Sequence, residues 1–246
     1  MNEELLAKVK KLISLYKQGK LGGDTMPEDS NPGLNKNSCE NFMYFTLPMA
    51  LNYQRNSYTL WKSALLTWQD KNCRDVFFPD RVVNMPIEIL KQKLVKYKVA
   101  LQPNKQPLIW MKLCKTFYDK FNCDIRVLFQ ICDNDVVKVK DYILKNKKDF
   151  PYLSGTKILD YWLYVMSQYT DINLNNRQEI TVAPDTHVIQ ASLKLGVITK
   201  EESLKSNIRE IVAQRWGGIL KGTDIQPIDI HTPFWLWSRN GFIVEV

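Results

Sequence analysis

Apolar side chains in this sequence recur at intervals of three and four residues. That spacing builds one face of an α-helix and no face of a β-strand. Phe42, Phe45, Met49 and Tyr53 follow it, as do Leu60, Ala64, Leu65 and Trp68. Pro86 then opens a stripe of Ile87, Leu90, Leu94 and Tyr97, and another runs through Leu108, Met111, Cys114, Phe117, Tyr118 and Phe121. Val136, Val139, Ile143 and Leu144 continue the series. Period-two alternation is short; its best case, VVKVK at 136–140, reads better as helix. The expectation is an all-α fold. Ahead of these stripes, MNEELLAKVKKLISLYKQGK has the pattern of an amphipathic surface helix with its acids first. It lacks the basic start, apolar run and cleavage site of a secretory signal. Residues 19–38, rich in Gly, Pro, Asn and Asp, read as a loop. The expected organisation is an N-terminal helix and loop over 1–38 and one helical region over 39–246.

The chain has 246 residues, 45% of them hydrophobic, enough to bury a sizeable core in one domain or two closely packed lobes. Its net charge of +8 favours a polyanionic partner, nucleic acid or an anionic membrane surface. The abundance of Asn and Ile beside Lys also fits a compositional bias. No apolar run reaches the ~18 residues of a membrane span, so no membrane partner is expected. Five scattered cysteines without a C-x-x-C point to free thiols in a reducing, intracellular compartment. With only two histidines, His187 and His231, no zinc site is expected.

Two segments carry chemistry. FPYLSGTK at 150–157 ends one helical stripe and starts another, with Ser154 as the expected N-cap and Gly155, Thr156 and Lys157 in the first turn. Ile158, Leu159, Trp162, Leu163, Met166 and Tyr169 supply that helix with an apolar face. A helix, a tight glycine turn and a second helix expose backbone N–H groups that suit an anion such as a DNA phosphate. After a polar loop, Asp185 stands at an N-cap position before Val188, Ile189 and Leu195. Further helices are expected over 200–215 and 227–239. Alone, Lys157 reads as a solvated first-turn lysine and Asp185 as an ordinary helix cap.

Together, SGTK (154–157), PDTHV (184–188) and KLGV (194–197) resemble the helix–hairpin–helix DNA glycosylases, the superfamily of endonuclease III and the 8-oxoguanine glycosylases. The specific match covers about 135–197. The resemblance implies a two-lobed helical bundle with a helix–hairpin–helix motif and an active-site cleft between lobes. It implies a bifunctional DNA glycosylase and AP lyase of base excision repair, acting as a monomer on a damaged base in double-stranded DNA in the cytoplasm or nucleoid. Lys157 would attack C1′ of the damaged nucleotide, displace the base and form a Schiff base that promotes β-elimination. Asp185 would stabilise positive charge developing at the sugar and help move protons. Ser154, Gly155, Thr156 and His187 would meet the DNA backbone.

A flipped base leaves a gap in the duplex that must be filled. LNYQRNS (51–57) resembles the family's glutamine-bearing turn, which makes Gln54 the candidate wedge and Asn52 and Arg55 candidate contacts on the opposite strand. In the C-terminal run PFWLWSR, Phe234, Trp235 and Trp237 are candidates for stacking on the base; their helical spacing fits core positions equally. The hairpin reads YLSG, without the first glycine and the proline of the family pattern, so the family's monovalent-cation site loses its usual residues. The spacing from Lys157 to Asp185 is longer than in endonuclease III, with the polar loop at 170–181 as the extra length. No four-cysteine loop follows, so no iron–sulfur cluster and no other cofactor is expected, which favours an oxidised purine, 8-oxoguanine, as the lesion. A non-catalytic helix–hairpin–helix module that binds DNA or a repair assembly is the alternative. A helical interaction protein unrelated to nucleic acid stands behind both.

Overall fold

The computed structural model describes residues 2–22 and 26–246. Met1 and residues 23–25 of the expected loop lie outside the described residues. The described residues form twelve α-helices, joined by short 3-10 turns, and no strand. None of these helices is long and apolar enough to cross a membrane. The chain divides into two compact units, Met26–Asn176 and a second made of Met1–Thr25 with Arg177–Val246.

The Met26–Asn176 unit holds α2 (Cys39–Ala50), α3 (Ser57–Gln69), α4 (Pro79–Val82), α5 (Ile87–Lys96), α6 (Gln106–Phe121), α7 (Arg126–Ile131), α8 (Val136–Lys145) and α9 (Thr156–Tyr169). The Ser38 side chain caps α2 by accepting from Asn41 N at 3.2 Å, and Asn56 caps α3 through Thr59 N at 3.1 Å. From Asn41 to Ala50 every residue of α2 is buried, so this helix is the axis of the unit. Aromatic rings surround it. Tyr44 stacks on Phe77 at 5.4 Å, and Phe129 stacks on Trp162 of α9 at 5.2 Å. Buried polar atoms find partners inside this apolar packing: Trp162 Nε1 donates to Thr46 Oγ1 at 3.0 Å and Trp110 Nε1 to the Val76 carbonyl at 2.7 Å.

The α8–α9 pair is fixed from both sides. Lys140 Nζ of α8 binds Asp160 Oδ1 of α9 at 2.7 Å, and the Asp160 side chain is only 2% exposed. After α8 the chain is tied to α6: Lys112 and Lys120 hold the Asp149 carboxylate at 2.8 and 2.7 Å, and Thr116 Oγ1 donates to its carbonyl. These amines, the Lys112 one first, keep the Asp149 carboxyl below the usual carboxylate range.

In the second unit are α1 (Asn2–Lys17), α10 (Thr186–Lys194), α11 (Ile208–Leu220) and α12 (His231–Arg239). Glu3 and Glu4 in the first turn of α1 and Lys17 in its last oppose the helix dipole. Val9 and Leu12 are fully buried, and α1 packs on α12. Lys11 Nζ donates to the Glu245 carbonyl at 2.8 Å, and Asn240 Nδ2 to the Leu21 carbonyl at 2.7 Å, so the two ends of the chain share one core.

Several local expectations shift. The helix expected over 200–215 is a 3-10 turn at Glu202–Leu204 followed by α11, because Thr199 and Glu202 hydrogen-bond each other reciprocally and close a short turn first. The loop at 19–38 contains a 3-10 turn, Pro27–Asp29, whose Pro27 and Glu28 are buried. Tyr53 falls outside α2, which ends at Ala50, and is 55% exposed. α4 and α7 are too short for a periodic pattern to reveal.

Breaking a buried ion pair from one side leaves a charge without compensation, at a cost of about 3–5 kcal/mol. Asp160→Ala is therefore expected to lower unfolding stability by about that amount in urea titrations. The Lys140→Met/Asp160→Leu double variant should recover most of the loss. A single-variant loss indistinguishable from that of an exposed pair would show that α8 and α9 do not depend on this contact.

Candidate functional site

Lys157 lies in the first turn of α9, and its position is set by the turn before it. Ser154 N donates to the Phe150 carbonyl and Gly155 N to the Tyr152 carbonyl, each at 3.0 Å. The N-cap of α9 is Gly155, one residue beyond the expected Ser154, and no side chain caps the helix. A Cβ on Gly155 would come within 3.2 Å of the Tyr152 carbonyl oxygen, so the tight return of the chain favours glycine. The first N–H groups of the helix have no intrahelical acceptor, as at any helix start. Gly155, Thr156 and Lys157 are exposed and Ser154 is half-buried.

One turn along α9 from Lys157 is Tyr161. Its hydroxyl donates to Glu28 Oε1 at 3.1 Å. Glu28 is 1% exposed, and burial pushes its carboxyl up to about 7. The buried indole N–H of Trp61 closes no hydrogen bond, yet it lies near enough to Glu28 to favour the charged form. Burial, reinforced by the charge of Glu28, raises the Tyr161 phenol well above its ordinary value. Tyr169 at the end of α9 donates to Asp29 Oδ1 at 2.8 Å. The Pro27–Asp29 turn is thus fastened along α9 at two points. Sequence reasoning missed Glu28, since a glutamate in a Gly/Pro/Asn-rich segment reads as solvated.

The loop between α2 and α3 carries the candidate wedge. Asn52 Oδ1 accepts from Ser57 Oγ at 3.0 Å. Gln54 is exposed and holds a left-handed backbone, φ 51°. Arg55 spans to the next loop, donating to the Val99 and Lys98 carbonyls at 2.6 and 3.0 Å, and burial lowers its guanidinium to about 10. The Tyr53 and Tyr152 ring centroids are 5.8 Å apart, which brings this loop to the turn ahead of Lys157.

Asp185 belongs to the other unit. It is the N-cap of α10, where Oδ1 accepts from Val188 N at 3.0 Å and, among the described residues, Oδ2 accepts no hydrogen bond. His187 Nδ1 is 3.2 Å from Ser238 Oγ, and its ring meets the Trp235 edge at 5.4 Å. Arg239 lies over the same Trp235 ring at 5.0 Å. Phe234 is fully buried against Trp216, and Trp237 is 1% exposed with its indole N–H donating to the Val244 carbonyl at 2.8 Å. All five cysteines are free thiols, and no cluster of three His, Cys, Asp or Glu able to hold a metal occurs among the described residues.

Glu28 gives the unit a stability that depends on pH. Its carboxyl titrates near 7 in the fold against 4.5 in an unfolded chain, so the folded state binds the proton more tightly. The contribution is favourable at low pH and is lost as pH rises from 4.5 through 7. At about 1.4 kcal/mol per pH unit, the buried charge costs on the order of 3 kcal/mol above pH 8. Glu28→Gln keeps an acceptor for Tyr161 and removes the charge. Its stability relative to the parent, from denaturant midpoints between pH 4.5 and 8.5, should rise by up to that amount; a difference that stays flat with pH would contradict a buried, titrating Glu28.

A scan against models of protein families finds no match to this chain, and a search of curated proteins finds none either.

Proposed function

We propose that this protein is a bifunctional DNA glycosylase and AP lyase that removes an oxidised base, 8-oxoguanine, from double-stranded DNA. The observation that carries the reading is Lys157, exposed in the first turn of a helix that starts at a glycine turn with no side-chain cap. A nucleophilic amine and a backbone that can receive a phosphate stand there on consecutive residues. Ser154, Gly155 and Thr156 position the strand, and Lys157 attacks C1′ once its amine is neutral. The C–N bond to the base breaks as the new C–N bond forms, and the departing base takes up the proton that the amine loses; the C1′–O4′ bond then opens to give the imine, which promotes loss of the 3′ phosphate by β-elimination. Asp185 supplies the negative charge that the sugar needs as it becomes positive. The helix cap uses its Oδ1, and among the described residues its Oδ2 accepts no hydrogen bond. The reading includes a two-lobed helix–hairpin–helix architecture with Lys157 in one lobe and Asp185 in the other.

A second reading is a DNA-binding module without catalysis. It is favoured by the cap that Asp185 makes to Val188, a sufficient structural role for that residue.

Borohydride trapping on duplexes carrying 8-oxoguanine or an abasic site separates the two. The proposed function gives a covalent adduct with the parent chain and none with Lys157→Gln. Asp185→Asn, which retains a capping oxygen, is expected to slow base release by roughly 10²–10⁴-fold. Salt-dependent duplex binding without adduct or base release would select the non-catalytic module.

A further inference from the structure

A cluster outside the reacting groups combines exposed aromatic surface with positive charge. Tyr53, at 55% exposure, spends little of its ring on the core. Its ring meets that of Tyr152 at 5.8 Å and 43°, and Lys105 Nζ sits 5.3 Å from the Tyr152 ring centre. These residues come from three separate loops: the one between α2 and α3, the one between α5 and α6, and the turn before α9. Each loop holds a non-glycine residue in the left-handed region, namely Gln54 (φ 51°), Lys98 (φ 63°) and Tyr152 (φ 64°). Such backbone persists where surrounding contacts over-determine it. Arg55 is one of those contacts, fixing the first loop to the carbonyls of Lys98 and Val99.

The three segments that build this surface carry charge of one sign. Residues 51–69, 98–108 and 150–157 contain no Asp or Glu, while they carry Arg55, Lys98, Lys105 and Lys157. Among the described residues, no carboxylate forms an ion pair with Lys98 or Lys105. Planar rings interleaved with cations and lacking acids suit a polyanion that also has planar faces. A nucleic-acid strand is that ligand.

We infer that Tyr53, Tyr152 and Lys105 form a stacking platform for one unpaired base of a nucleic-acid strand. The base lies on the exposed Tyr53 ring, and Lys105 stands toward the adjacent phosphate. The Tyr152 carbonyl accepts from Gly155 N, so the platform is built into the turn that starts α9 and seats the strand beside Lys157. The inference deepens the proposed function and rests on it for the identity of the strand as damaged DNA; the platform's own test needs no catalysis.

The test uses the full chain and a duplex with 2-aminopurine facing an uncleavable abasic analogue. Stacking on tyrosine quenches 2-aminopurine emission, and anisotropy gives the affinity. The parent should quench the base and bind this duplex more tightly than a fully paired one. Tyr53→Leu should abolish the quenching and weaken binding roughly tenfold, while Tyr53→Trp should retain both. Lys105→Gln should lower the slope of log affinity against log salt by about one. Unchanged thermal midpoints exclude misfolding at these exposed positions. If the parent fails to quench the base, or Tyr53→Leu and Lys105→Gln bind as the parent does, the platform is overturned even where an adduct forms at Lys157. Loss of binding in Tyr53→Leu with no adduct in the parent would overturn the glycosylase reading and leave the platform standing.

Discussion

The contact between Lys140 and Asp160 governs what α9 can present. A buried carboxylate must be paired, and Asp160 has its Lys140 partner on α8. That requirement fixes how α9 is rotated about its axis. With Asp160 turned to α8, Trp162 reaches Thr46 and Phe129 on neighbouring elements, and Tyr161 reaches Glu28. Lys157 lies on the same side of α9 as Asp160, and its exposure comes from its place in the first turn, ahead of the buried part of the helix. An apolar pair of the same volume would hold the helices together as well. It would set the rotation less sharply, because an ion pair has direction as well as distance.

Around that contact, the aromatic core of the Met26–Asn176 unit is organised by polar hooks. Indole N–H groups of Trp110 and Trp162 each find an oxygen in a place only one register provides. The exception is Trp61, whose buried N–H stays unsatisfied close to an acid that is itself buried. Two compromises in one corner of a well-satisfied core are costly to keep. They are joined to α9 through Tyr161, whose hydroxyl donates to Glu28.

Much of this was legible in the sequence, and the reasons are physical. The apolar stripes of α2, α3, α5, α6, α8 and α9 follow the helical period, and the cap at Asp185 is a residue whose side chain reaches a free N–H. The start of α9 reads one residue early, since Ser154 is a better capping residue than glycine by propensity; the close return toward the Tyr152 carbonyl decides for Gly155. Glu28 was illegible. Its burial comes from docking on Tyr161, a residue more than a hundred positions away, and local composition gives no trace of it. Tyr53 was misread in the other direction. It continues the spacing of Phe45 and Met49, but α2 stops at Ala50, so a residue that counts as core by period stands on the surface. The sharing of one core by α1 and the C-terminal segment is likewise a long-range fact that no window of sequence contains.

The helix starts at α9 and α10 use the same backbone physics in opposite ways. At α10 the cap is a carboxylate from the chain itself, so the Val188 N–H is satisfied internally and the positive end of the helix holds an anion already. At α9 the cap is a glycine, and no N-cap side chain accepts from the first turn. Under the proposed function this asymmetry is useful. An uncapped start can receive a phosphate without displacing a protein group, and a capped one holds its carboxylate in place through Oδ1. Lysine in the first turn of α9 would be a poor choice for helix stability alone, because its charge meets the positive end of the helix dipole. At the start of a helix that meets a phosphate, the ligand's charge offsets that repulsion and holds the lysine beside the strand, where attack still requires the amine to give up its proton.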